Sequence, residues 1–240
     1  IKSVIGLIFT LEMIIFMFLP MIYLGMSPFW AAVIMVVVTT IVTMYLIGGN
    51  DRKTISAILG TTLGVLISGL SAWIFGLAAD IDGYNVSNIE TLVYLGQNTQ
   101  IKIGGLLFAG ILIASLGAVM DVAMSVSSAI AEIHDKSKTL GMKELFISGM
   151  HVGKDMMGTM SNTLILAFAG GSISVLVLDY AYNLPLRQII NSYSIGIEIM
   201  QGIAGSIGVI LTVPTTAFMA ALLYGAKRNI TVHSSQEDTQ

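Results

Sequence analysis

One carboxylate stands inside a long apolar run. From Ile103 to Ala131 the sequence contains no proline and a single formal charge, Asp121. If Glu132 marks a membrane interface, a helix places Asp121 about 16 Å deeper, half of a hydrocarbon core of about 30 Å. A carboxylate at that depth costs about 2.5–3.5 kcal/mol on insertion scales, and such groups mark ion pathways and proton relays. No basic residue lies within the apolar part of any segment to neutralise it, and the nearest is Lys154. The chemistry on offer is the gain and loss of a proton, or ligation of a cation. The alternative is a protonated Asp121 that only donates a hydrogen bond between helices.

The residues around it bear on that choice. Gly110, Ala114, Gly117, Asp121, Ser125 and Ser128 recur at spacings of three or four and share one helix face. Small side chains admit a second helix, so Asp121 is expected to point at protein and not at lipid. A later segment opens with Lys154, Asp155, Thr159, Asn162 and Thr163, of which Asp155, Thr159 and Asn162 share a face. That polar wedge, together with Ser125, Ser127 and Ser128, would line a hydrated approach to Asp121 from the inner side. Ordinary interhelical hydrogen bonding, worth about 0.6 kcal/mol per bond, is the competing account. Lys154 and Asp155 by themselves also read as an interfacial anchor pair. Glu12, in the middle of the first apolar segment, and Glu198, at the outer end of the last, are secondary candidates, with Glu198 expected at the interface.

The elements that must position these residues follow from composition. The chain has 240 residues, 55% hydrophobic and 10% charged, with mean hydropathy +0.86. Soluble domains average about 25% charged residues, so the bilayer must be the solvent. Six apolar segments are long enough to span, at roughly Ser3–Leu24, Phe29–Ile47, Ile55–Ala79, Ile103–Ala131, Met156–Leu178 and Ile199–Ala226. Backbone satisfaction in lipid requires all six to be helical. The expected fold is therefore an all-α membrane protein, a bundle of six transmembrane helices over 1–228. Of the 11 basic residues, only Lys102 and Arg187 fall on one set of flanks, so the other set and both termini are cytoplasmic. The polar tail Asn229–Gln240 is expected to be disordered. Because the sequence opens on Ile1, further residues are expected upstream. The first segment is too long for a signal peptide and lacks a small-residue cleavage site.

Local signals add detail. Gly25-Met26-Ser27-Pro28 makes a tight outer turn. Gly60, Gly64 and Ser68 form a packing face on the third segment. Thr139–Asp155, with Met142, Leu145, Phe146 and Met150 at helical spacing, reads as an interfacial amphipathic helix between the fourth and fifth segments. Pro185–Ile197 reads as a similar outer lead-in to the sixth. Gly202, Gly205, Gly208 and Pro214 predict close packing and a kink in that last helix.

Several chemistries are set aside. There is no cysteine, hence no disulfide or thiolate chemistry, and no basic patch for nucleic acid. Glu132, His134, Asp135 and His151 match no metal-ligand spacing. The 149–155 stretch GMHVGKD is one residue short of a phosphate loop, has Asp in place of Ser/Thr, and follows no strand. The 15 Met residues suit lipid-facing and packing positions better than metal transport. Intramembrane hydrolysis would need paired aspartates in a GxGD-type context or Ser with His in the bundle, and neither occurs. No cofactor and no enzymatic activity are expected.

The blocks GAVMDVAMSVSSAIAEI (117–133), KELFISGMHVGKDMMGTMSNTLILAFAGGS (143–172) and GIAGSIGVILTVPTTAFMAA (202–221) carry a resemblance. Across 1–228 the chain closely resembles the YibE/F family of bacterial multi-pass membrane proteins, which implies the bacterial cytoplasmic membrane but no catalytic residues. Some members of that family have an extracytoplasmic domain and an additional helix upstream. More distantly, the order of elements resembles one six-helix half of the RND superfamily, as in SecD and SecF. Those halves move protons through carboxylates in the fourth helix, and by position Asp121 would match. They also work in pairs, which implies self-association, as a homodimer, or pairing with a related YibE/F chain. The resemblance breaks at Gly25–Pro28, where that superfamily inserts a large outer domain. The expectation is a proton- or cation-coupled transporter or its energising subunit; the alternative is a non-transporting scaffold that docks a partner.

Overall fold

The computed structural model describes residues 2–81, 83–84 and 89–225, so the tail and Asp82 lie outside the described residues. The first span, Lys2–Tyr23, comprises α1 (Lys2–Met13), a π-helical turn (Ile14–Phe18) and α2 (Leu19–Tyr23). Gly25, at φ +88°, reverses the chain, and Pro28 opens α3 (Pro28–Gly48) where its missing N–H is not needed. α4 (Arg52–Ala78) returns outward and leads to a short α5 (Ile89–Asn98). A single 3-10 turn (Ile103–Gly105) feeds α6 (Leu106–Lys136), which α7 (Met142–Gly171) follows. α8 (Ile173–Ala181), α9 (Leu186–Ile190) and α10 (Tyr193–Gly225) complete the described chain, and no strand occurs among these residues.

The bundle is built on a glycine–hydroxyl seam. Antiparallel α4 and α10 meet with Gly60 against Thr216, Gly64 against Thr212 and Ser68 against Gly208. The packing face expected at Gly60, Gly64 and Ser68 is thus the central contact of the fold. α6 lies on the same α4 surface, with Val119 on Gly64, Leu112 on Gly69 and Phe108 on Gly76. α7 packs along α10 through Leu164 on Gly205, Gly153 on Val213 and Gly149 on Ala217. Val122, Val126, Ile130, Leu145, Val209 and Val213, all fully buried, fill the space between them. α3 covers the other side of α6, and α1 rests mainly on α3, where Gly6 meets Thr43.

Three expectations change. Thr139–Asp155 is not a separate interfacial helix: from Met142 the chain runs unbroken into the fifth segment. Its apolar stripe finds the inner ends of α6 and α10 instead of headgroups, with Leu145 fully buried and Gly149 wedged between Ile130 and Ala217. The fifth span does not run straight to Leu178; α7 ends at Gly170-Gly171 and α8 departs at 51°. Five helices among the described residues are long and apolar enough to cross a membrane, and the bent pair makes a sixth if counted as one span. Pro185–Ile197 is divided between α9 and the start of α10, and α10 continues as one helix through Pro214.

Candidate functional site

Asp121 occupies the middle of α6, with Ile103 and Lys136 bounding the span. The same depth is marked by Val119, which lies on Gly64 of α4 opposite Thr212 of α10. It does not, however, point into the bundle. Asp121 is exposed at the surface of the chain, as are Gly110, Ala114 and Gly117 along the same edge. A Cβ added at Gly110 or Gly117 would meet nothing within 4 Å. The small-residue face is real, but no helix among the described residues covers it. The reason is that α6 spends its large side chains, Leu112, Leu116, Val119, Val122 and Val126, on the α4, α7 and α10 contacts. The small residues are left on the opposite side.

The polar wedge of α7 lies at matching depth. Gly149 sits on Ile130 and Gly153 on Val126, and the helices are antiparallel. Counting outward along both, Asp121 is level with Gly158, and Gly117 is level with Asn162. Thr159, Asn162 and Thr163 are all exposed. The Thr159 hydroxyl donates to the Met156 carbonyl at 3.1 Å and Thr163 donates to that of Thr159 at 2.9 Å, so both return to their own helix. Asp121 itself makes no ion pair or hydrogen bond among the described residues.

Lys154 and Asp155 lie within α7, well past its start at Met142. They stand beside Gly153, level with Val126 within the apolar run of α6, and both are exposed without an ion pair among the described residues. Ser125 and Ser128 are half-buried on α6 as the inner approach requires. Ser127 is different: it is fully buried, donates to the Lys53 carbonyl at 2.5 Å and shares a 2.6 Å hydrogen bond with Ser56 of α4. It is a structural clasp between α6 and the start of α4. Arg52 makes a second clasp at that end, donating to the Leu223 carbonyl of α10 at 2.9 Å.

The secondary candidates stand apart. Glu12 is exposed on peripheral α1, just before the π-helical turn. Glu198 is half-buried near the outer end of α10, with one carboxylate oxygen shielded and without a hydrogen-bond partner among the described residues. Its neighbours Ile197 and Met200 pack on Ala72, Ile81, Leu107 and Ile111, so Glu198 belongs to the outer end of the bundle. An apolar groove of about 620 Å³ at that end, lined by Phe29, Trp30, Leu70, Trp73 and Phe108, holds none of these groups. Among the described residues no cluster of three or more metal-ligating side chains occurs.

One feature of α7 was not singled out from sequence. Glu144, Ser148, His151, Asp155, Gly158 and Asn162 recur at alternating spacings of four and three, and all but half-buried Ser148 are exposed. A 3.5-residue repeat of polar and small residues is the signal of a helix seam, and it was divided between a supposed interfacial helix and the wedge at Asp155.

A model of the YibE/F-like protein family matches residues 1–226, and the chain belongs to that family. No curated protein and no solved structure matches it.

Proposed function

We propose that this YibE/F-like chain is a proton- or cation-coupled transporter, or the subunit that energises one, with Asp121 as the group that binds and releases the ion. One observation carries the reading. A carboxylate at mid-span has no counter-charge or hydrogen bond among the described residues, yet lies level with the polar and small face of α7. A group so placed is held ready for an exchangeable ligand and is not consumed in structure. Ser125 and Ser128 on α6, with Thr159 and Asn162 on α7, line the inner approach. The basic residues at the Arg52, Lys136 and Lys143 ends favour a cytoplasmic inner side, with both termini there. The six-span, RND-half-like arrangement is part of the proposal, as is pairing with a second copy or a related chain. We ascribe no enzymatic step and no cofactor to it.

Proteoliposomes test the reading. The parent should carry a pH- or cation-driven flux above protein-free vesicles, and Asp121→Asn should return it to that background. Equal flux from both overturns the role of Asp121. If both stay at background, the second reading stands: a scaffold that docks a partner. That reading is favoured by α8 and α9, which bury none of their residues and present Ile173, Val177, Tyr180 and Leu186 outward.

A further inference from the structure

The outward edge of α6 and the outward seam of α7 lie on packed neighbouring helices, and lipid covers neither well. From α6 come Gly110, Ala114, Gly117 and Asp121; from α7 come His151, Lys154, Asp155, Gly158 and Asn162, all exposed. Gly149 and Gly153 lie on Ile130 and Val126, so with Glu132 taken as the interface Gly153 stands about 9 Å inside it. Ionisable side chains at that depth face protein or water, because hydrocarbon solvates neither charge nor amide. Both helices also carry the spacing of a packing seam, four-three-four over 110–121 on α6 and four-three alternation over 144–162 on α7.

We infer that a second copy of this chain covers the surface, with α6 of each protomer packed antiparallel against α7 of the other about a two-fold axis along the membrane normal. Such an axis preserves depth. Asp121 then meets Gly158 and Asn162 of the partner copy's seam, and Gly117 lies level with Asn162. Small residues stand opposite one another where the backbones must approach, as close helix contacts in membranes require.

Charge identifies the occupant as the same chain. Asp121 on α6 and Lys154 on α7 are opposite charges without an ion pair among the described residues; Lys154 lies one helical turn, about 5–6 Å, inward of the matching depth, with Asp155 as a second unpaired anion beside it. An isologous interface makes every such pairing twice. The inference deepens the ion-coupling proposal and rests on it for its meaning, since each Asp121 site would then be built by two chains.

The absence of cysteine allows a clean test. Two differently tagged full-length chains are co-expressed, one with Gly117→Cys and the other with Asn162→Cys, and oxidised in native membranes. A two-tag disulfide product is expected, and likewise for Gly110→Cys with Gly170→Cys, where added Cβ atoms meet nothing within the chain. Ile74→Cys on the exposed side of α4, paired with Asn162→Cys, should give none. Failure of both pairs, or an equal product from the Ile74 pair, overturns the interface. Crosslinks only to a different protein also overturn it. Asp121→Asn proteoliposomes report separately: crosslinking with no ion flux would leave the interface standing and remove the coupling.

Discussion

Two glycines that look alike in sequence should respond oppositely to the same substitution. Gly64 on α4 and Gly117 on α6 both lie in apolar runs and both belong to rows of small side chains spaced three or four residues apart. At Gly64 an added Cβ would overlap the Thr212 hydroxyl and lie 2.9 Å from Val119 Cγ1 and 3.1 Å from Thr212 Cβ. The hydroxyl cannot swing aside freely, because it donates to the Gly208 carbonyl at 2.7 Å and Thr212 is fully buried. Relief must come from separating α4 and α10. Overpacking of this kind costs about 1–3 kcal/mol, and loss of the threonine bond in a membrane adds about 0.6. At Gly117 an added Cβ meets nothing within 4 Å. There the change to alanine should be neutral, or stabilising by about 0.5–1 kcal/mol through reduced backbone freedom in the unfolded chain. Reversible unfolding of Gly64→Ala and Gly117→Ala in mixed detergent micelles, dilute enough to separate protomers, should therefore show a gap of about 2–4 kcal/mol. Equal losses, or a larger loss at Gly117, would refute the placement of α6 with its small face outward.

Two further outcomes follow from local geometry. Ser127→Ala removes the donor to the Lys53 carbonyl and the partner of Ser56; at about 0.6 kcal/mol per bond it should lower stability by about 1 kcal/mol. Ser128→Ala should leave the same unfolding curve unmoved, and matching losses would contradict the clasp. Gly25→Ala places a side chain at φ +88° against Gln100. It should cost about 1–2 kcal/mol in that assay, while Gly49→Ala, also at positive φ but with open space around it, should lose only the conformational part.

Much of the fold was legible because membrane helices announce themselves by length and polarity. The first four apolar runs became helices within about five residues of their expected ends, while the helix carrying the fifth starts at Met142 and breaks at Gly171; Gly60, Gly64 and Ser68 marked the α4–α10 seam because only small residues permit such contact. The errors have a common cause. The inner stretch Thr139–Asp155 is amphipathic, and amphipathicity is equally the mark of a helix resting on headgroups and of one with a single face in a bundle. What separates them is whether α6 and α10 extend far enough to receive Leu145 and Gly149, and that is a tertiary fact. Lys154 and Asp155 read as an interfacial pair because charges mark a membrane edge in sequence; in the fold they flank Gly153, which packs on Val126 and Val213. The bend at Gly171-Ser172 left a hint in its paired glycines but no measure of its angle.

Asp121 illustrates a deeper limit. Periodicity groups residues on one face without saying which way that face looks. In a soluble protein, polarity resolves the question, because the polar side is the wet side. In a bilayer the relation fails: the interior of a bundle and its contact with another subunit both select small and polar residues, while the lipid side selects large apolar ones. The face Gly110–Ala114–Gly117–Asp121 therefore reads identically as a buried core stripe or as an outward seam. Only the positions of Val122, Val126 and Ile130, committed to contacts within the chain, leave it outward. The demand for cover that the sequence placed inside the bundle is then displaced to its surface, and it falls on α6 and α7 together. On the interface proposed above, a second copy supplies that cover, and the ion chemistry proposed for Asp121 becomes a property of the pair.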